Sequence, residues 1–167
     1  FVTGLTFWLG NCFVLGAGLA YAPEAAAAVD QLPAWMNRAI GIAGLGVIGL
    51  YLLWLMPKPR VIGRNNWQVV LPNARLTLIQ IAIGVFDLGF CALAMYMLLP
   101  GEPSIHFLTL LVTFVTATLI GFVSHAPGSL GVFEVAMLIA LPQFEKEALL
   151  AALLIYRVMY FVIPFFL

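Results

Sequence analysis

The chain has 167 residues, of which 64% are apolar and only 8% charged, with a formal net charge of zero and a mean hydropathy of +1.11. Soluble domains run at about 45–50% apolar and about 25% charged, so a soluble domain is excluded, and the balanced charge gives no field of the kind that gathers nucleic acid. The composition predicts an all-α, polytopic integral membrane protein with a single membrane domain over 1–167.

A bilayer's hydrocarbon core is crossed by about 20 apolar residues in helical form, and residues 1–22 are the first such stretch. It starts at Phe1 with no charged segment or small-residue cleavage site before it, so it does not read as a signal peptide. The second span, 36–56, follows a segment, 23–35, that carries Glu24 and Asp30. Both spans are rich in glycine: Gly4, Gly10, Gly16 and Gly18, then Gly41, Gly44, Gly46 and Gly49. Small residues let helix backbones approach where lipid supplies no hydrophobic drive, so these are expected packing faces. Cys12 here, and Cys91 further on, lie in apolar runs without metal-ligand spacing. They are expected to be small buried hydrophobes, and no metal or cofactor is expected.

Residues 57–75 carry Lys58, Arg60, Arg64 and Arg75 and no acid, whereas 100–105 carry Glu102. The excess of positive charge predicts that loop 57–75 is cytoplasmic and that the acidic segments lie on the other side. The third span, 76–99, holds Asp87 at its centre. A charge there costs about 2.5–3.5 kcal/mol on insertion scales and by default marks function. Thr77, Gln80, Gly84, Asp87 and Cys91 share one helical face. The fourth span, 106–125, shows a similar stripe in Thr109, Thr113, Thr116, Ala117 and Ser124. The two faces predict a hydrophilic groove; the competing reading is that the threonines bond back to the i−4 carbonyl and merely pack.

The run SHAPGSLGVFE, 124–134, is the richest in signals. Pro127 stops the preceding helix, and Gly128 and Gly131 free the backbone for a turn. A new helix is expected to start near Ser129, with unsatisfied amides that attract anions and Glu134 about one turn inside. Interrupted helices of this kind build transporter substrate sites; the alternative is a loop at the cytoplasmic surface. The apolar stretch 130–141 rises roughly 18 Å, too short to cross, and reads as a half-helix, re-entrant or part of a broken span. The last span, 147–167, holds Arg157 at its centre between Tyr156 and Tyr160. Arg157 has two compatible roles: neutralising Asp87 or Glu134 in a buried pair, and binding an anion.

No zinc motif, nucleophile elbow or phosphate-binding loop occurs, so no catalytic residue is expected. Ser124 beside His125 is adjacency rather than a nucleophile–base pair, and His125 is weighed as a proton relay against a structural role. The chain ends inside the apolar run YFVIPFFL and reads as an excerpt of a longer membrane protein.

PGSLGVFE, 127–134, followed by IYRVMYFVIP, 155–164, and the mid-helix Asp87 before MYMLLP, 95–100, resemble the transmembrane region of the lysylphosphatidylglycerol synthase, or multiple peptide resistance factor, family. Ser129 stands where that pattern has a second glycine. The resemblance implies a flippase region in a bacterial inner membrane that moves aminoacylated phosphatidylglycerol to the outer leaflet. A soluble synthase domain, which this chain lacks, attaches the lysine there. On that footing the phospholipid-binding residues would be Asp87, Gly128, Ser129, Gly131, Glu134 and Arg157, with Gln80, Thr113, Thr116, Ser124, His125 and Tyr156 lining the groove. Further transmembrane helices are implied as partners, and self-association into a homo-oligomer stays open. Two other classes remain: a proton- or ion-coupled solute transporter using Asp87 and Glu134, and a structural anchor.

Overall fold

The computed structural model of the chain describes residues 2–56, 61–64, 67–70, 73–125, 129–162 and 166, with the side chains of 2–7, 28–30, 61–64, 67–70, 161 and 162 outside the description. In chain order the elements are helices α1 (Val2–Tyr21), α2 (Pro23–Asp30) and α3 (Ala34–Leu55), strands β1 (Val61–Arg64) and β2 (Trp67–Val70), then α4 (Ala74–Leu98), α5 (Phe107–Val123), α6 (Val132–Ala140) and α7 (Lys146–Arg157), which continues as a π-helical turn, Val158–Val162.

Among the described residues, α3 and α4 are long and apolar enough to cross a membrane. Their 22 and 25 residues rise about 33 and 38 Å, against a hydrocarbon core of about 30 Å. Ile42, Val47, Leu50 and Leu53 of α3 and Phe86, Phe90 and Met97 of α4 are exposed. In water such a surface would drive aggregation, whereas lipid solvates it.

Helix α1 packs against α3, α4 and α5. It meets α3 most closely at Gly41, where an added Cβ would stand 2.6 Å from the Gly16 carbonyl oxygen and 2.7 Å from the Ala20 nitrogen. The glycine stripe is only partly a packing face here, since Gly44, Gly46 and Gly49 have open space where a side chain would go. The cysteines also depart from expectation: Cys12 is exposed and Cys91 half-buried.

Two segments expected as loops are ordered. Within 23–35, the run PEAAAAVD forms α2, with proline at its start and Glu24 in its first turn, positions that favour helix initiation. The buried Asn37 of α3 donates from Nδ2 to the Pro23 carbonyl at 3.4 Å and ties the two helix starts together. Within 57–75, β1 and β2 pair antiparallel, Val61 with Val70 and Arg64 with Trp67. Asn73 then caps α4 by accepting from the Leu76 amide at 2.8 Å.

The core lies where α4, α5, α6 and α7 converge, on the fully buried Met95, Leu110, Met137, Leu149 and Leu153. The Phe114 ring meets Phe133 and Tyr156 edge to face at 5.5 and 5.6 Å. These contacts set the depth at which α6 and α7 lie against α5, and so position the charged side chains one residue further on, Glu134 and Arg157.

Candidate functional site

The break after α5 is real, but the new helix begins at Val132, three residues beyond Ser129. The reason is local. Ser129 has φ 54° and Gly131 φ 82°, so the backbone is left-handed on both sides of Leu130, and right-handed helix cannot start until that turn is complete. Gly131 is the N-cap. Pro127 and Gly128 lie outside the described residues.

One amide at this helix start, expected to be open to an anion, is already taken by a side chain of the same helix. Glu134, at the third helical position, reaches back so that its Oε2 accepts from the Gly131 amide at 2.8 Å. This is one half of a capping box; the N-cap glycine has no side chain to return the second bond. The other oxygen, Oε1, accepts from Arg157 Nε in an ion pair whose side chains are 13% and 12% exposed. Arg157 Nη2 donates in turn to the Ser129 carbonyl oxygen at 3.0 Å. Ser129 therefore contributes its backbone acceptor rather than a phosphate-binding helix end. The guanidinium also stands over the Phe133 ring, 6.0 Å from its centroid.

Asp87 lies apart from this pair. It is exposed and makes no ion pair among the described residues. It lines a cavity of about 660 Å³ shared with Arg157, Ser129, His125 and Tyr156. The cavity's charge is set by Asp87, since the Glu134–Arg157 pair cancels internally. Cys91, half-buried one turn along α4, has its thiol hydrogen-bonded with the hydroxyls of Tyr156 and Tyr160. Those two rings stack at 5.7 Å, 8° from parallel. Tyr160 is in the π-helical turn, a distortion that recurs at functional sites.

The groove along α4 and α5 is largely absent. Thr77 and Thr116 are buried and give their hydroxyls to the Asn73 and Val112 carbonyls at 3.2 and 2.7 Å. Gln80 is half-buried away from the cavity, and Thr113 is buried facing the other end of the molecule. Ser124 donates to the Gly121 carbonyl at 2.6 Å as α5 ends. In place of the threonines the wall is built by Phe114, Thr118, Leu119 and Phe122 of α5 and by Trp8 and Asn11 of α1. Trp8 meets Phe122 edge to face at 4.2 Å. Sequence reasoning passed over α1. The available signal was Asn11, a polar residue inside an apolar helix and 8% exposed.

The chain is 35% identical over 163 residues to a protein of Synechocystis sp. called "Uncharacterized protein slr0712". It is 32% identical over 169 residues to "Inner membrane protein YbhN" of Escherichia coli. The alignments cover 96% and 95% of this chain, which spans about half the length of these curated relatives. No family model matches the chain. With apolar helices of spanning length and an inner membrane protein among its relatives, the assignment is direct. The chain is a helical membrane protein.

Chemically, the arrangement offers an amphiphile a largely apolar wall of Trp8, Phe114 and Phe122, one carboxylate with no ion pair among the described residues, and a guanidinium held in place by Glu134 and Ser129. Such a site can take an acyl chain beside an amine.

Proposed function

We propose that the chain is the membrane part of a bacterial lipid translocator that carries a phospholipid with an amine-bearing headgroup, such as lysyl-phosphatidylglycerol, to the outer leaflet of the inner membrane. The observation that carries this reading is Asp87, a carboxylate with no ion pair among the described residues, on the wall of a mainly apolar cavity. A headgroup with more amines than phosphates complements that charge, and the aromatic wall suits the chain that follows. Arg157 borders the same cavity and supplies a fixed partner for phosphate. Inner-membrane placement is supported by the name of the Escherichia coli relative, and the positive charge of 57–75 supports a cytoplasmic position for the β-hairpin. The remaining half of the relatives' length leaves room for the further helices this reading calls for.

A proton-coupled solute transporter is supported less well. That reading used Asp87 and Glu134 as two carriers, and Glu134 has both oxygens engaged by Arg157 and Gly131.

The test is the complete protein carrying Asp87→Asn, expressed at matched levels in cells that make the amine lipid. Outer-leaflet amine labelling is measured alongside total amine lipid. The expected result is a several-fold fall in labelling with the total unchanged. Wild-type labelling would reject lipid translocation through this cavity.

A further inference from the structure

A second cavity, about 450 Å³, lies at the opposite end of the bundle, between the start of α2, the start of α3, the first turns of α5 and the turn joining α6 to α7. Its volume is within the range of about 300–1,000 Å³ usual for small-molecule sites. Four features give it chemistry. Glu24 and Arg38 are exposed on its rim and form no ion pair with each other, because the one pair among the described residues is Arg157–Glu134. Their placement is fixed by the neighbouring bond from Asn37 to the Pro23 carbonyl, which locks the residue before Arg38 to the residue before Glu24. Inside, Thr109 and Thr113 stand one helical turn apart on α5 and both face the cavity.

The two threonines differ from the others on this helix. Thr116 and Thr118 give their hydroxyls to the Val112 and Phe114 carbonyls at 2.7 and 2.8 Å, the usual fate of a threonine in an apolar helix. Thr113, 1% exposed, and Thr109 instead line this cavity, which Gln143 also borders.

We infer that this cavity is a second binding site, selective for a small zwitterionic group that carries an ammonium and a phosphate or carboxylate a few atoms apart. Arg38 takes the anion with its planar fork, Glu24 takes the ammonium, and the Thr109 and Thr113 hydroxyls bond the atoms between them. Opposite charges held apart on one rim reject a purely anionic or purely cationic group, since each leaves one side chain facing a like charge or none. The chemistry is shared by the headgroup of an ethanolamine phospholipid and by free phosphoethanolamine.

The test uses the complete protein with Asp87→Asn as background, so that binding in the first cavity is not what is read. Native mass spectrometry follows titration with phosphatidylethanolamine, phosphatidylglycerol and free O-phosphoethanolamine in separate arms. Phosphatidylethanolamine is expected to bind more tightly than phosphatidylglycerol. Glu24→Gln and Arg38→Gln should each weaken it about tenfold, the scale of one charge-assisted bond. Thr113→Val, which keeps the shape, should weaken it about threefold, and if that variant fails to fold the two rim variants decide. Binding of free phosphoethanolamine with equal losses assigns the site to a soluble zwitterion. Affinities unchanged by both rim variants, or no preference over phosphatidylglycerol, overturn the inference.

Discussion

Arg157 holds Ser129 by its backbone: Nη2 donates to the Ser129 carbonyl oxygen at 3.0 Å while Nε of the same guanidinium pairs with Glu134. One planar group thus joins α7 to both sides of the turn that opens α6. Arg157→Lys keeps the charge but provides a single point donor that cannot span both acceptors. A loss of about 1–3 kcal/mol is expected, read as a lower unfolding temperature of the detergent-solubilised protein. Arg157→Ala should cost more, about 3–5 kcal/mol, because it strands the Glu134 carboxylate. Equal melting of wild type and Arg157→Lys would show that the fork is not used.

Asp87 and Glu134 are both carboxylates in apolar surroundings, yet their amide variants should separate. Glu134→Gln removes the counter-charge of Arg157 and weakens the cap on the Gly131 amide, so it should destabilise by about 2–4 kcal/mol. Asp87→Asn removes no ion pair seen among the described residues and should melt as wild type does. Comparable destabilisation by the two would place Asp87 in the structural set.

Gly41 and Gly46 lie on one helix in opposite situations. Gly41→Ala forces a Cβ to within 2.6 Å of the Gly16 carbonyl oxygen and should cost about 1–3 kcal/mol by overpacking. Gly46→Ala meets nothing within 4 Å and should leave stability unchanged or raise it by up to about 1 kcal/mol through helix propensity. Melting curves of the two variants in one detergent are enough, and destabilisation by Gly46→Ala alone would reverse the assignment.

Ser129 has a left-handed backbone, φ 54°, in the position where the resembled pattern carries glycine. Its useful atom is the carbonyl oxygen, which any residue supplies. Ser129→Gly should therefore keep the bond to Arg157 and stabilise by about 0.5–1 kcal/mol, the left-handed penalty less the added chain entropy. A lower melting temperature would assign a role to the serine side chain.

The charged residues were legible because a membrane helix tolerates so few, and the Glu134–Arg157 pair was one of the arrangements their presence allowed. The turn at Ser129 was legible from proline and glycine, but its use was not, since a backbone carbonyl has no letter of its own. Helix α2 was hidden because Glu24 and Asp30 mark polar surroundings equally well in a loop and in a short helix. The aromatic wall was hidden for another reason: Trp8, Phe114 and Phe122 look like any lipid-facing aromatics until the helices are placed. The threonine stripe misled, because Thr77 and Thr116 satisfy themselves on their own helix.

Helix α6 has nine residues and rises only about 14 Å. Alone it would leave its polar ends within the hydrocarbon. Its counter-charge arrives late in synthesis, because Arg157 follows Glu134 by 23 residues. During that interval a membrane-embedded Glu134 would carry an insertion cost of about 2.5–3.5 kcal/mol, with nothing from α7 to lower it. If α6 enters the membrane, leaving the translocation machinery together with α7 as a hairpin, charges already joined, avoids that cost. A nascent chain arrested before Arg157 emerges should hold α6 at the machinery's edge, still reachable by water-soluble reagents at Val135, and release it into lipid only once the arginine is made.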